Sequence, residues 1–257
     1  MASVRFTRPP LDEIIFSVEF VAPGFSSVHF GLYWESIRLD FPVQQDKRPI
    51  ILEENENSTP LLQRVWFISN DGKKLIQLQD NLFIFNWRYD QQNKNPAFED
   101  ILKEFIYHWN HLKAWWLNIA QESIELRNYG LTYINQIGKK LGWENAKDYS
   151  KIFNFGTTEG TDLLNFPVSL DFKISFLLPD NSGTLLIRLE QLSRSDNYSE
   201  EVISDDELFL FFQLLTKSSN TTIPIIDWFT SAHDYVVTAF LELTKDEAQK
   251  SWGRYEY

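Results

Sequence analysis

Between Val65 and Arg88 the chain reads VWFISNDGKKLIQLQDNLFIFNWR, and no other stretch constrains the fold as tightly. Two apolar alternating runs flank Asn70-Asp71-Gly72, residue types that accept the positive φ of a tight hairpin turn. Asp80-Asn81 supplies a second two-residue turn. Between the turns, Ile76 and Leu78 point to one face and Gln77 and Gln79 to the other. On the third run Phe83, Phe85 and Trp87 share one face, while Leu82, Ile84 and Asn86 share the other. A strand apolar on both faces belongs in the interior of a sheet, covered on both sides. The stretch therefore predicts an antiparallel three-stranded meander.

The rest of the chain must supply that cover. Leu11 to Val21 is a strand whose Ile14, Phe16, Val18 and Phe20 make one apolar face. Phe30, Trp34, Ile37 and Phe41 fall at helical spacing and predict a short helix ending before Pro42. Lys47 to Glu53 reads as an edge strand, and Glu53 to Pro60 as a polar loop. After a second polar loop, Asp90 to Pro96, the period changes. Phe98, Leu102, Phe105, Trp109, Leu112, Trp116 and Ile119 then step by fours and threes, giving a long amphipathic helix of about six turns. Glu99 and Asp100 occupy its first turn, where the helix dipole favours acids.

The second half repeats this order. Leu126 to Ile137 reads as a strand and Lys140 to Phe153 as a short helix. Phe166 to Leu178, Thr184 to Leu192 and Leu208 to Thr216 read as a further meander turning at Asp180 to Gly183. Ile226, Phe229, His233, Val236, Phe240 and Leu243 mark a closing helix that Asp227 would cap. The tail from Lys250 to Tyr257 fits no pattern. The expected fold is α+β: two β-α-β(3)-α halves, 1–122 and 123–257, in one compact unit. They would form one pseudo-symmetric antiparallel sheet backed by two long helices. That element order is similar to the helix-grip and TATA-binding-protein architectures, a similarity that implies nothing about DNA binding.

Composition bounds the function. A length of 257 residues suits one large domain or two small ones. A hydrophobic share of 43% with 21 Phe and 9 Trp is enough for a substantial core, so the chain is globular and not disordered. No run approaches the roughly 20 apolar residues of a membrane helix. The opening MASVRFTRPPLDE has no apolar core of a secretory signal. Cysteine is absent, which excludes disulfides, thiolate metal sites and a cysteine nucleophile. These features give the expectation of a cytoplasmic protein off the membrane. The net charge of −12 disfavours phosphate backbones and anionic lipid as partners.

The whole chain also resembles a sporadically distributed bacterial and archaeal family of unknown function of about this length. The resemblance rests on Pro9-Pro10-Leu11 with Glu13, Arg64-Val65-Trp66-Phe67 and Asp71-Gly72. Its specific part is Ile76-Gln77-Leu78-Gln79 followed by Phe85-Asn86-Trp87-Arg88. Phe98 with the helix after it, Tyr133-Ile134-Asn135 and the closing helix with His233 also fit. The resemblance implies a prokaryotic, stand-alone cytoplasmic protein and transfers no activity. Scattered distribution suits a gene of a defence or mobile-element system.

Three sets of residues are candidates for function. Gln77, Gln79, Asn86 and Arg88 would share one face of the meander and line a polar groove, with amides as donors and acceptors and Arg as a forked anion contact. The competing reading is a cross-strand ladder under the helices. Trp109, Trp115 and Trp116 lie on more than one side of the long helix and would offer an aromatic surface to a partner or a second copy. Glu104, His108 and His111 could hold a metal at helical spacing, but a solvated face opposite the Phe105/Trp109/Leu112 stripe is the plainer reading. The acidic stretches Glu200-Glu201 and Asp205-Asp206-Glu207 lack calcium-loop spacing. His233 reads as a core histidine bonded to backbone. No phosphate loop, dinucleotide glycine pattern, HExxH or nucleophile elbow is present, so no metal and no cofactor is expected. The expected function is protein binding, with a partner protein or a homodimer. The rival is an enzyme or small-molecule receptor with a pocket between sheet and helices, built on Arg88, Asn86 and His108.

Overall fold

Strand β1 (Val4–Phe6) and β2 (Leu11–Val21) open the chain, followed by α1 (Ser27–Ile37), β3 (Val43–Lys47), β4 (Arg64–Ile68), β5 (Lys74–Gln79), β6 (Leu82–Arg88) and α2 (Phe98–Ala120). Then come β7 (Glu125–Ile137), α3 (Tyr149–Ile152), β8 (Asp171–Leu177), β9 (Gly183–Ser193), β10 (Leu208–Ser218), α4 (Ile225–Leu243), α5 (Asp246–Ser251) and β11 (Arg254–Glu256). These come from a computed structural model that describes residues 4–51, 62–90, 95–156, 163, 167–193, 208–218 and 220–256. The loop read at Glu53 to Pro60, residues 91–94 of the second polar loop and the acidic stretches at 200–201 and 205–207 lie outside the described residues.

The fold is α+β with a large antiparallel sheet. Its nine strands run β3-β4-β5-β6-β2-β7-β10-β9-β8, and β1 pairs separately with β11. The meander forms as its pattern predicts. β5 pairs with β4 through Phe67 and Ile76, and with β6 through Ile76 and Phe85. Gly72 sits at φ 69 in the first turn, a backbone conformation that a side chain would strain. β6 lies between β5 and β2, and Leu82 to Asn86 are all buried.

Two compact units partition the chain. One gathers Glu13–Leu131 and Lys217–Thr230. Its core is aromatic: Phe16, fully buried, stacks on Phe105 with ring centroids 4.8 Å apart and touches Phe229 at 5.2 Å. Phe83 meets both Phe105 and Trp109. Each such ring contributes about 1.5–3 kcal/mol by leaving water. Helix α2 supplies the cover its period predicts, burying Phe98, Leu102, Phe105, Trp109, Leu112 and Trp116.

The other unit gathers Met1–Asp12, Thr132–Thr216 and Ser231–Tyr257. Phe240 stacks on Phe212 and packs against Phe6 and Trp252. The tail that fits no sequence pattern is a packed element here. Trp252 is fully buried, and its indole N–H donates to the Leu141 carbonyl at 3.0 Å. Gly253 follows at φ 77 because the chain passes so close to Thr7 that a Cβ would stand 1.9 Å from its hydroxyl.

Three boundaries differ from the sequence reading, each for a local reason. No strand forms over residues 48–51, where an edge strand is expected, and Leu52 and Glu53 lie outside the described residues; the strand that does form is β3, which stops at Lys47, and Pro49 has no N–H to continue a ladder. Helix α1 begins at Ser27, three residues before Phe30, because the Ser26 N–H donates to His29 Nδ1 at 2.8 Å and closes the first turn. The helix expected over Lys140 to Phe153 reduces to 3-10 turns at Lys139–Leu141 and Ala146–Asp148 and the four residues of α3, interrupted at Gly142, whose φ is 96. Asp227 sits in the first turn of α4, where its charge faces the positive end of the helix dipole. Among the described residues no helix is long and apolar enough to cross a membrane.

Candidate functional site

The face of the meander that carries Gln77, Gln79 and Asn86 is closed. Gln79 is fully buried, Asn86 is 2% and Gln77 6% exposed. Gln77 Nε2 donates to Asn86 Oδ1 at 2.8 Å across the β5–β6 pair, and Arg64 donates to Gln77 Oε1 at 2.9 Å. Burial holds the Arg64 guanidinium below its usual pKa. Gln79 uses its whole amide: Nε2 donates to the Ile50 carbonyl and to Asn81 Oδ1, and Oε1 accepts the Ile50 N–H at 2.8 Å. These contacts pin the segment after β3 onto β5. Arg88 stands apart at the strand end, donating to the Gly72 carbonyl at 3.1 Å and pairing with Glu13 at 3.5 Å. The four residues read as one groove thus divide into a buried Gln77–Asn86 pair, a Gln79 tied to the Ile50 backbone and Asn81, and an ion pair at the strand end.

The aromatic surface expected on α2 also divides. Trp109 and Trp116 are 2% and 1% exposed, in the core. Trp115 is half-buried against Tyr33, with centroids 5.2 Å apart. The tryptophan spacing could not separate these because α1 covers part of the face that the period assigns to solvent.

His108 overturns the expectation of a solvated face. It is 5% exposed, stacked on Phe85 at 5.5 Å and edge-on to Phe41 at 5.1 Å. Its Nε2 lies 3.8 Å from Glu104 Oε1, and Nδ1 is buried with no hydrogen-bond partner among the described residues. Glu104 in turn pairs with Lys74 at the start of β5. Burial alone would raise the Glu104 carboxyl, but the contacts with His108 and Lys74 outweigh it and hold the group below its usual range. His111 goes elsewhere: its Nε2 meets Ser36 Oγ at 3.0 Å. That hydroxyl already donates to the Tyr33 carbonyl at 2.7 Å, so the histidine ring is its donor and the serine is not activated as a nucleophile. Among the described residues no three His, Asp or Glu side chains converge as metal ligands.

Lys74, Glu104 and His108 line a cleft of about 740 Å³ within the unit that holds the meander. The segment after α1 supplies Leu39, Asp40 and Phe41, the β4–β5 turn supplies Ser69 to Asp71, and α2 supplies Asp100, Lys103 and Tyr107. Each wall follows from local chemistry. The turn is fixed by Asp71, whose Oδ1 accepts from Ser69 Oγ at 2.7 Å and the Lys73 N–H at 3.1 Å; the serine bond first and the amide second lower its carboxyl pKa. The floor is apolar, with Phe41 1% exposed. The rim is also apolar yet open, with Leu39 88% and Tyr107 63% exposed. Four carboxylates (Asp40, Asp71, Asp100, Glu104) face two lysines, and both lysines are paired, Lys74 with Glu104 and Lys103 with Asp100. The cleft is therefore electronegative, and its rim offers apolar contact.

His233, expected as a core histidine bonded to backbone, is half-buried in the other unit, and its Nδ1 meets the Tyr133 hydroxyl at 2.7 Å. Sequence reasoning missed Leu39, Lys74 and Tyr107. The one available signal was Tyr107, an aromatic ring off the apolar stripe of α2.

No family model, no curated protein and no solved structure matches the chain.

Proposed function

We propose that this is a binding protein whose cleft grips a partner protein through a lysine or arginine flanked by apolar groups. One observation carries the reading: exposed Leu39 and Tyr107 border a cleft with four carboxylates and two paired lysines. A basic side chain entering there meets unpaired negative charge, and the rim buries apolar surface around it. The resemblance to the sporadic prokaryotic family supports a narrower form, in which a cytoplasmic, antitoxin-like component holds a partner encoded beside it in a defence or mobile-element system. The order strand, short helix, meander, long helix in each half of the chain supports the finer architectural reading, a pseudo-symmetric sheet of helix-grip or TATA-binding-protein type.

A second reading has its own observation. The Lys74–Glu104–His108 series under the cleft is the arrangement a small-molecule receptor or enzyme would use, with Glu104 orienting the imidazole. Purification of the tagged chain from its native cells, followed by native mass spectrometry, separates the two. The first reading expects a defined heteromeric mass that disappears in Tyr107→Ala and Asp100→Lys. A small extra mass lost in His108→Phe would replace it with the second.

A further inference from the structure

Strand β8 ends the nine-stranded sheet, and among the described residues β9 is its only hydrogen-bonded neighbour. It is also unusually bare for an edge: Ile174, Phe176 and Leu177 are 36%, 47% and 76% exposed. Long apolar edges of this kind pair with further strands unless something blocks them, and β8 contains no proline and only one lysine.

The backbone geometry restricts what can pair. The Gln191 N–H donates to the Leu170 carbonyl at 2.8 Å, and the Leu178 N–H to the Gly183 carbonyl at 2.9 Å. Even-numbered residues thus turn their backbone groups toward β9. By alternation Asp171, Lys173, Ser175 and Leu177 turn theirs outward. The charges restrict it further. Register sets Asp171 opposite Glu190 and Lys173 opposite Arg188, so each faces a like charge. Arg188 and Glu190 satisfy one another at 2.5 Å, which leaves Asp171 and Lys173 with no ion pair among the described residues.

We infer that β8 pairs antiparallel with β8 of a second copy of this chain about a two-fold axis through Phe172, forming a homodimer. Centring on Phe172 puts outward residues opposite outward residues and sets Asp171 against Lys173 of the partner twice. Centring on Lys173 would oppose two lysines, and centring on Ile174 would pair no charges. The same register sets Phe172 against its own copy and Ile174 against Leu170, whose carbonyl already continues the ladder with β9.

The test is a charge exchange read by sedimentation equilibrium and native mass spectrometry of the full chain. The wild type is expected to dimerise. Asp171→Lys and Lys173→Asp should each weaken self-association on the order of tenfold or more, because both oppose like charges twice. Mixed one to one, the two variants should form a heterodimer, since every pair becomes complementary; this also shows that neither variant has merely unfolded. A wild-type monomer at micromolar concentration, single variants that dimerise as tightly as wild type, or a mixture without heterodimer would each overturn the inference. None of these outcomes depends on the cleft having a partner.

Discussion

Gln77, Gln79 and Asn86 on one side, and Lys74, Glu104 and His108 on the other, come from overlapping stretches of the same unit, yet their polar groups end differently. The amides close on one another and on the Ile50 backbone, beneath a covered surface. The ionisable set opens into a cleft and leaves a buried imidazole nitrogen without a partner among the described residues. The closed amides fix strand pairing and register, even with the Arg64 Nε beside them likewise buried and unpartnered; what sets the second group apart is that its incomplete polarity borders an opening.

The largest expected effect sharpens the first half of that contrast. Gln79→Ala orphans the N–H and C=O of Ile50 and should lower stability by about 3 kcal/mol in urea unfolding, with partner binding surviving wherever the fold does. Glu104→Gln should cost less, about 1 kcal/mol at neutral pH, since the pair with Lys74 is partly exposed. Its pH signature is more telling. The folded Glu104 pKa lies below its unfolded value, so its contribution is complete above the unfolded pKa of about 4.3 and is lost as pH falls through the folded pKa. The wild type should therefore lose more stability than Glu104→Gln between about pH 5 and pH 3. His108→Phe removes the orphaned nitrogen from between Phe41 and Phe85 but also the contact with Glu104, so the two effects offset and stability should stay within about 1 kcal/mol of wild type, while whatever the cleft holds is impaired. Smallest of all, Leu39→Ser and Tyr107→Ala should stay within about 0.5 kcal/mol of wild type, because both side chains are exposed.

Much of this molecule is legible in its sequence because period and turn chemistry are local. The meander, α2 and α4 follow from alternation, from Asn70-Asp71-Gly72 and from fours and threes. What escapes is set by contacts distant in sequence. Gln77 and Asn86 look like a groove until their mutual bond is seen. His108 looks solvated until Phe41, 67 residues earlier, is placed against it. The Trp252-Gly253 tail fits no pattern until Thr7 is placed beside it. The cleft itself joins a turn, a helix face and the segment after α1, three pieces that no spacing rule connects.

The most direct test of the claim that the open polar set is functional and the closed one structural is parallel recovery of a partner from native cells with wild-type, Tyr107→Ala and Asp100→Lys chains, each first shown to unfold cooperatively like wild type. The cleft reading predicts a defined partner on the wild type and its loss from both variants. Equal recovery on all three chains would contradict it.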